Sequence, residues 1–188
     1  MTKPTIAVII GSIREGRAGE KVAKWFMDAV KNVESAQFTL IDLKDHPLPL
    51  FADAISPAYR EGKHSNLDVQ AWLDSIQKAD GYIFVTPEYD HGIPGALKNA
   101  VEYGFKEWNN KPVGFVGYGG IAAGSRSVEQ WRQIAAELQM FDVREAVLIP
   151  MVWEAFDEQG HLKNADMHAK TATVVVEKVA KLAVQLKS

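Results

Sequence analysis

The sequence predicts an α/β fold, a doubly wound sandwich whose five-stranded parallel sheet has the order 2-1-3-4-5 and carries helices on both faces. Two observations predict it. Five short apolar runs alternate along the chain with five segments whose apolar residues recur at helical spacing, and strands joined by helical crossovers must be parallel. The first, third and fourth runs are apolar on both faces, as strands covered by helices on both sides require. We prefer this order to the longer six-stranded nucleotide-binding arrangement.

The predicted strands are separated by segments long enough for crossover helices. They are Thr5–Ile10, Gln37–Leu43, Gly81–Thr86, Pro112–Gly117 and Val143–Ile149. The helical stripes cover 22–33, 69–79, 93–104, 128–138 and 172–186. The last stripe is rich in β-branched residues, which lower helix propensity, but its period of about 3.6 residues still favours a helix. No internal repeat and no flexible linker divides the chain, so we expect a single domain over 1–188.

One connection, residues 44–66, shows no clear period and contains three prolines. Long loops without regular structure in compact domains tend to be functional or interfacial. Its apolar side chains would be poorly placed in water, so we expect the loop either to fold back on its own domain or to contribute to a subunit contact. Those side chains are Leu48, Leu50, Phe51 and Tyr59.

Composition excludes several classes of function. The chain has 21 Lys and Arg against 24 Asp and Glu, a net charge of −3, which argues against a protein that neutralises nucleic-acid phosphates. It has no cysteine, so disulfides, thiolate metal sites and a cysteine nucleophile are excluded, and redox chemistry must come from a bound cofactor. The histidines are too scattered for metal-ligand spacing, and no metal is expected. Without a signal peptide or a membrane span, we expect a cytoplasmic protein with no membrane partner.

Ligands of open parallel sheets bind beyond the carboxyl ends of the strands, near the switch point. The loop after the first strand, 11–19, offers backbone N–H groups, a hydroxyl and two guanidinium groups at the start of a helix. A phosphate monoester is the natural ligand of such a loop. It nearly matches a P-loop, but Arg17 replaces the lysine and Ala18 replaces the hydroxyl residue that would hold magnesium, which argues against a nucleoside triphosphatase. The alternative is a helix cap with solvated arginines.

Two further loops follow the third and fourth strands. In 86–95, two prolines and two glycines fix an irregular backbone that can bind the edge of a flat heterocycle, and Tyr89 can cover a ring. The alternative there is a strand-to-helix turn with Pro94 near the helix N-terminus. In 117–126, glycines allow close backbone approach to a ligand and Tyr118 offers a stacking surface.

The tryptophans have structural interpretations. Trp25, Trp72 and Trp131 fall on or beside apolar helical stripes, and we expect them to pack in the core. Trp108 and Trp153 lie near loop ends, where we expect interface packing, the alternative being that one of them shapes the substrate pocket or that of a neighbouring subunit.

Together, the loops resemble the NAD(P)H-dependent FMN reductase family of flavodoxin-like proteins, which includes quinone, azo-dye and chromate reductases. The most specific motifs are G-S-x-R at Gly11–Arg14, P-E-Y at Pro87–Tyr89 and P-G-x-L-K-N-A at Pro94–Ala100. The segment Phe156–Gly160 also matches, and the similarity runs from residue 6 to about residue 186.

The resemblance implies FMN as cofactor and NADPH or NADH as electron donor. Hydride would pass through FMN N5 to a small acceptor, such as a quinone, a flavin, an azo compound or a metal oxyanion, in a ping-pong cycle. That cycle needs no protein acid or base, so we assign no catalytic residue, and His91 is expected to shape structure or substrate binding. Family members are usually homodimers or homotetramers, with the flavin near the subunit interface.

The resemblance also assigns the cofactor contacts. The FMN phosphate would be held by Gly11, Ser12, Arg14 and the backbone near Arg17, Ala18 and Gly19. The isoalloxazine would be lined by Pro87, Glu88, Tyr89 and Asp90. Its other edge would contact the backbone around Tyr118, Gly119 and Gly120.

Two positions depart from the family pattern. Asp90 stands where the family usually has Asn, and a carboxylate accepts hydrogen bonds but cannot donate them. A nearby anion would also lower the flavin reduction potential, a hypothesis that the midpoint potential of Asp90→Asn tests. Arg17 stands where many relatives have a neutral residue; it could add a charge to the phosphate site or reach toward the 2′-phosphate of NADPH. The alternative functions are a flavodoxin-type electron carrier, although such carriers tend to be strongly acidic, and a non-catalytic flavin-binding protein.

Overall fold

A computed structural model of the protein describes residues 3–187. Its strands form one parallel five-stranded sheet of order 2-1-3-4-5, which confirms the predicted fold. The strands are β1 (Thr5–Ile10), β2 (Gln37–Asp42), β3 (Gly81–Pro87), β4 (Pro112–Tyr118) and β5 (Phe141–Ile149). The helices are α1 (Gly19–Val30), α2 (Leu67–Gln77), α3 (Gly95–Glu102), α4 (Ser125–Glu137) and α5 (Ala165–Leu186).

Side chains of the central strands alternate between two apolar layers. On β1, Ala7 and Ile9 pack toward α2, α3 and α4, whereas Ile6 and Val8 pack toward α1 and α5. Every residue of β3 and β4 is buried. This is the reason that these strands are continuously apolar in sequence: in a sheet covered on both faces, both sets of alternating side chains lose contact with water.

Strand ends differ from the prediction by one or two residues. β2 ends at Asp42, because a short 3₁₀ turn begins at Leu43. In that turn, Lys44 N donates to the Asp42 carboxylate at 2.9 Å. β3 and β4 each extend one residue further than predicted, and β5 begins two residues earlier, at Phe141. These differences place Asp42, Pro87 and Tyr118 at the carboxyl edge of the sheet, where ligands of this fold bind.

The loop 44–66 folds back on its own domain, as one of the two predictions had it, but only in part. Leu48 and Phe51 pack against the core, and Asn99 of α3 accepts from Phe51 N at 2.8 Å while donating to Pro49 O at 2.7 Å. Leu50 and Tyr59, in contrast, are 84% and 79% exposed. The loop is therefore anchored to its own domain and still presents apolar side chains outward.

The prediction of interface packing is wrong for Trp108, because it is a core residue with no exposed surface. Its Nε1 donates to Val101 O at 3.1 Å, and its ring packs edge-on against Tyr82 with 4.8 Å between centroids. Trp153 is 64% exposed. Within residues 3–187, no helix is both long and apolar enough to cross a lipid bilayer.

Candidate functional site

The loops that follow β1, β3 and β4 meet at the carboxyl edge of the sheet. Ser12 Oγ and the Tyr89 hydroxyl share a hydrogen bond of 2.7 Å, which joins the first loop to the second. The Arg14 guanidinium lies 5.3 Å from the centre of the Tyr89 ring. Glu88 N donates to Tyr118 O at 3.0 Å and joins the second loop to the third. The structure thus brings together residues that are far apart in sequence, as their positions after parallel strands predict.

The first loop leads into the N-terminus of α1, which no side chain among the described residues 3–187 caps. Ala18 occupies the N-cap position and has no side chain able to accept from the helix, and the first helical hydrogen bond runs from Val22 N to Ala18 O at 3.0 Å. The N–H groups of the first turn therefore point out of the helix without a helical acceptor. Gly16 adopts a φ of +62°, a left-handed conformation that glycine adopts without strain, and lets the loop curve around this end of α1. An anion fits these free donors.

The Arg17 side chain is bound within the protein. Its guanidinium forms a bidentate ion pair with the Asp42 carboxylate and donates to Ser12 O at 2.6 Å, and only 6% of the side chain is exposed. Hydrogen bonding to Asp42 raises the pKa of Arg17. Two predictions about Arg17 are therefore corrected. Its side chain is directed neither at the phosphate of FMN nor at that of NADPH, because the guanidinium is already bound to Asp42 and Ser12 O.

Tyr118 also differs from its predicted role as a stacking surface. The side chain is only 4% exposed and packs among Ile10, Val85 and other residues of the layer that faces α1 and α5. Its hydroxyl lies against Gly19, where a Cβ would overlap it. Since the ring is covered by protein, it cannot stack on a ligand.

The second loop begins with a two-residue reverse turn at Tyr89–Gly92. Tyr89 N donates to Gly92 O at 3.1 Å and Gly92 N donates to Tyr89 O at 2.8 Å. Asp90 and His91 both have positive φ, 50° and 64°, as the central residues of a type I′ turn require. Asp and Asn both tolerate this conformation, so Asp90 keeps the backbone that Asn would adopt and changes only the charge. Both side chains are exposed.

Two polar side chains on α4 hold this region, and neither was predicted. Gln130 donates from Nε2 to His91 O at 3.2 Å and accepts at Oε1 from Ile93 N at 3.2 Å. Arg126 pairs with Glu88, whose carboxylate also accepts from Arg126 N at 3.2 Å at the start of α4. The Glu88 side chain is 6% exposed and is directed at α4, so any contact of Glu88 with a ligand of this loop would come from its backbone. No one-dimensional pattern marks Gln130, because its partners lie almost 40 residues away.

The third loop is tightly fixed. Gly119 donates to Ile149 O at 3.3 Å and accepts from Val152 N at 3.0 Å. Gly120 lies beside the exposed ring of Trp153, with 3.5 Å between the ring and the position that a Cβ would occupy. Gly124 has a φ of +83°, and a Cβ there would overlap the backbone at Tyr118. Glycine is required at this position for both reasons.

A cleft of about 450 Å³ lies next to the first loop. Ile13 of the first loop, Leu50 of the 44–66 loop and Ala96 of α3 are among its lining residues. Within residues 3–187, no group of three or more His, Asp or Glu side chains is arranged to hold a metal ion.

The sequence and the fold both have known relatives. Residues 4–154 match the model of a family described as NADPH-dependent FMN reductase. An NAD(P)H-dependent FMN reductase of Schizosaccharomyces pombe is 35% identical over 137 residues, which cover 73% of this chain and 68% of the relative. A quinone reductase of Pseudomonas putida is 30% identical over 120 residues, which cover 60% of this chain and 58% of that one.

Solved structures show the same fold at low sequence identity. The flavoenzyme NAD(P)H:(acceptor) oxidoreductase FerB of Paracoccus denitrificans superposes with a TM-score of 0.71 at 21% identity, covering 94% of this chain and 98% of that chain. A WrbA-like flavodoxin of Agrobacterium tumefaciens superposes with a TM-score of 0.60 at 17% identity, covering 97% and 99% of the two chains.

Proposed function

Since the chain belongs to the NADPH-dependent FMN reductase family and is therefore an oxidoreductase with FMN as its cofactor, we propose that it reduces small acceptors with NADPH or NADH in a ping-pong cycle. Bound FMN would supply the redox chemistry, the transfer of two electrons from the nicotinamide to the acceptor. The protein's part is to bind the cofactor, to orient it and to leave one face open to both substrates.

The observation that carries the proposal is the junction of the first two loops. The uncapped α1 N-terminus, Ser12 and Arg14 form a site suited to a phosphate monoester dianion. The bond between Ser12 and Tyr89 joins the first loop to the turn at Tyr89–Gly92 and so supports a phosphate site beside that turn. A ligand that carries a phosphate at one end and a flat ring at the other matches this arrangement.

Individual residues then have distinct tasks. Ser12, Arg14 and the backbone of Gly11, Ala18 and Gly19 hold the phosphate. The backbone of Pro87, Glu88, Tyr89 and Asp90 lines the ring on one side, and the backbone of Gly119 and Gly120 lines it on the other.

The electrostatics of the ring site follow from one ion pair. Arg126 neutralises Glu88, so Asp90 remains as the exposed anion of the second loop. Neither half-reaction requires a proton at a fixed protein atom, and His91 is not assigned a catalytic role.

Among acceptors, we propose a quinone first, because a curated relative is named a quinone reductase. Free flavins, azo compounds and metal oxyanions are the other candidates, since all of them suit an open pocket over a flavin. A cytoplasmic location also stays a proposal.

The proposal is tested with purified protein. We expect yellow protein that NADPH or NADH bleaches under anaerobic conditions, and initial rates at varied donor and quinone concentrations that give the parallel double-reciprocal lines of a ping-pong cycle. The same assay with an azo dye, chromate and free FMN ranks the acceptors. Yellow protein that neither nucleotide bleaches would point to an electron carrier or a binding protein, and colourless protein that ignores added FMN would contradict the cofactor assignment.

We also propose that the functional unit is a homodimer or a homotetramer. Apolar side chains remain in water around the proposed site: Ile13 of the first loop, Leu50 of the neighbouring cleft, Ile121 of the third loop and Trp153 are 48%, 84%, 90% and 64% exposed. A second subunit that covers them would complete the pocket that one small domain leaves open.

A further inference from the structure

The Tyr118 hydroxyl is the unusual polar group of this site. It is buried and has no hydrogen-bond partner within residues 3–187. Buried hydroxyls nearly always find a partner, because an unpaired one gives up its hydrogen bonds to water without compensation. Ser12 Oγ lies close enough to the Tyr118 hydroxyl to act on its pKa, but the hydrogen bond that Ser12 Oγ forms, at 2.7 Å, is with the Tyr89 hydroxyl. The Tyr118 hydroxyl therefore requires another explanation.

Its position supplies one. The hydroxyl touches Gly19, the first residue of α1, so closely that any Cβ at that position would overlap it. It therefore lies at the same helix end whose N–H groups lack a cap. The buried Tyr118 hydroxyl and the N–H groups at the start of α1 are neighbouring hydrogen-bond donors without an acceptor, which indicates one acceptor for all of them. A phosphate, with its three terminal oxygens, is such an acceptor.

The protonation state agrees with a donor role. Burial, and then the neighbouring Tyr89, raise the pKa of the Tyr118 hydroxyl above its ordinary value and outweigh the lowering effects of Ser12, Arg17 and Arg14. The hydroxyl consequently keeps its proton throughout the neutral range and does not oppose an anion. In contrast, the Arg17 guanidinium is occupied by Asp42 and cannot take this place.

We propose that the Tyr118 hydroxyl donates a hydrogen bond to the phosphate of bound FMN, so that Tyr118 recognises the phosphate end of the cofactor and not its ring. This inference rests on the proposed function. The sequence motif predicted that the region of Tyr118 contacts the isoalloxazine, whereas this inference assigns the Tyr118 side chain to the phosphate. Gly19 is the residue that makes room for the hydroxyl, since a methyl group there would displace it.

The test compares Tyr118→Phe with the wild-type protein for two ligands, FMN and riboflavin, which differ only in the phosphate. We expect the dissociation constant of FMN, from quenching of flavin fluorescence, to rise about tenfold or more, as loss of a hydrogen bond to a charged group predicts. Riboflavin should bind both proteins equally. The melting temperature of the apoprotein should stay the same or rise, because the substitution removes an unpaired buried hydroxyl.

Tyr82→Phe is the matched control. Tyr82 is also fully buried, but its hydroxyl is bonded to Ile76 O at 2.9 Å and Glu107 O at 2.8 Å, and it lies at the amino end of β3. That variant should lower the melting temperature of the apoprotein and leave both flavin affinities unchanged.

Three results separate the inference from its premise. If wild-type protein binds FMN and Tyr118→Phe binds it equally well, the inference is overturned and the proposed function stands. If Tyr118→Phe weakens FMN and riboflavin by the same factor, the residue supports the ring or the loop and the phosphate contact is again overturned. If wild-type protein binds neither flavin, the proposed function fails and the inference fails with it.

Discussion

At the scale of single residues, Arg17 and Asp42 form an ion pair that stabilises the first loop. The side chains are 6% and 21% exposed, and Arg17 also donates to Ser12 O. Burial alone would raise the pKa of Asp42, but hydrogen bonds from Arg17 and from Lys44 N outweigh it and hold the pKa below its ordinary value. The contribution of the pair to the free energy of unfolding therefore depends on pH.

The pH dependence has a definite sign. A carboxyl with a lower pKa in the folded state contributes stability that is fully present above its unfolded pKa of about 4 and is lost as the pH falls through the folded value. Asp42→Asn should therefore lose about 1–3 kcal/mol of unfolding free energy at pH 7, because the charge of Arg17 is left without its partner. The loss should shrink at pH 3. Urea unfolding at the two pH values measures both.

The control for Asp42→Asn is Asp28→Asn. Asp28 pairs with Lys31 on the surface, where the side chains are 72% and 60% exposed, and such pairs contribute about 0–1 kcal/mol. An Asp42→Asn variant that loses no more stability than Asp28→Asn at pH 7 would contradict the structural role of the pair.

At the scale of elements, α4 positions the turn at Tyr89–Gly92. Gln130 donates to the His91 carbonyl and accepts from the Ile93 N–H. These are the two kinds of hydrogen bond that the backbone of a neighbouring strand would make. The turn itself has two non-glycine residues with positive φ, a conformation that persists only when its surroundings hold it. Gln130 is one part of those surroundings, and it comes from a different element.

Gln130→Ala should loosen the turn and raise the dissociation constant of FMN about three- to tenfold, since two exposed hydrogen bonds are lost. Gln130→Glu should give an intermediate value, because a carboxylate can accept from Ile93 N but cannot donate to His91 O. Gln133→Ala, an exposed glutamine on the same helix, is the control. Equal FMN affinity in all three variants, measured by fluorescence titration, would show that the turn needs no support from α4.

The elements themselves were predictable from the sequence, and their ends less so. Strand and helix periods are properties of backbone geometry, so β1 and the apolar stripes of α1 to α5 can be read from residue spacing alone. The end of β2 depends on the Asp42 carboxylate accepting from Lys44 N. A local hydrogen bond of this kind competes with the sheet and has no periodic signal.

At the scale of the whole molecule, the exposed apolar side chains around the site predict assembly. Leu50 is 84% exposed and lines the cleft next to the first loop. We expect sedimentation equilibrium to give a mass two or four times that of one chain, and Leu50→Glu to shift it toward the monomer while weakening FMN binding. Because Leu50 is already in water in the single chain, the substitution should leave its fold intact.

Met167→Glu provides the comparison. Met167 is 62% exposed on α5, away from the cleft, and this variant should keep the wild-type mass and FMN affinity. A wild-type protein that sediments as a monomer at all concentrations would contradict the proposed assembly. A Leu50→Glu variant with the wild-type mass would exclude the surface around Leu50 from the subunit interface.

The sequence by itself determined the fold, the edge of the sheet that carries the candidate site, and the three loops from which we propose that it is built. The reason is physical: residue spacing reports burial on each face, and parallel strands must bring their carboxyl ends to one edge. Tertiary structure alone decided which way the side chains at that edge point. Arg17 faces Asp42, 25 residues away, and Tyr118 reaches Gly19 at the start of α1. Whether a side chain meets a ligand or another residue depends on such distant partners, and no local pattern records them.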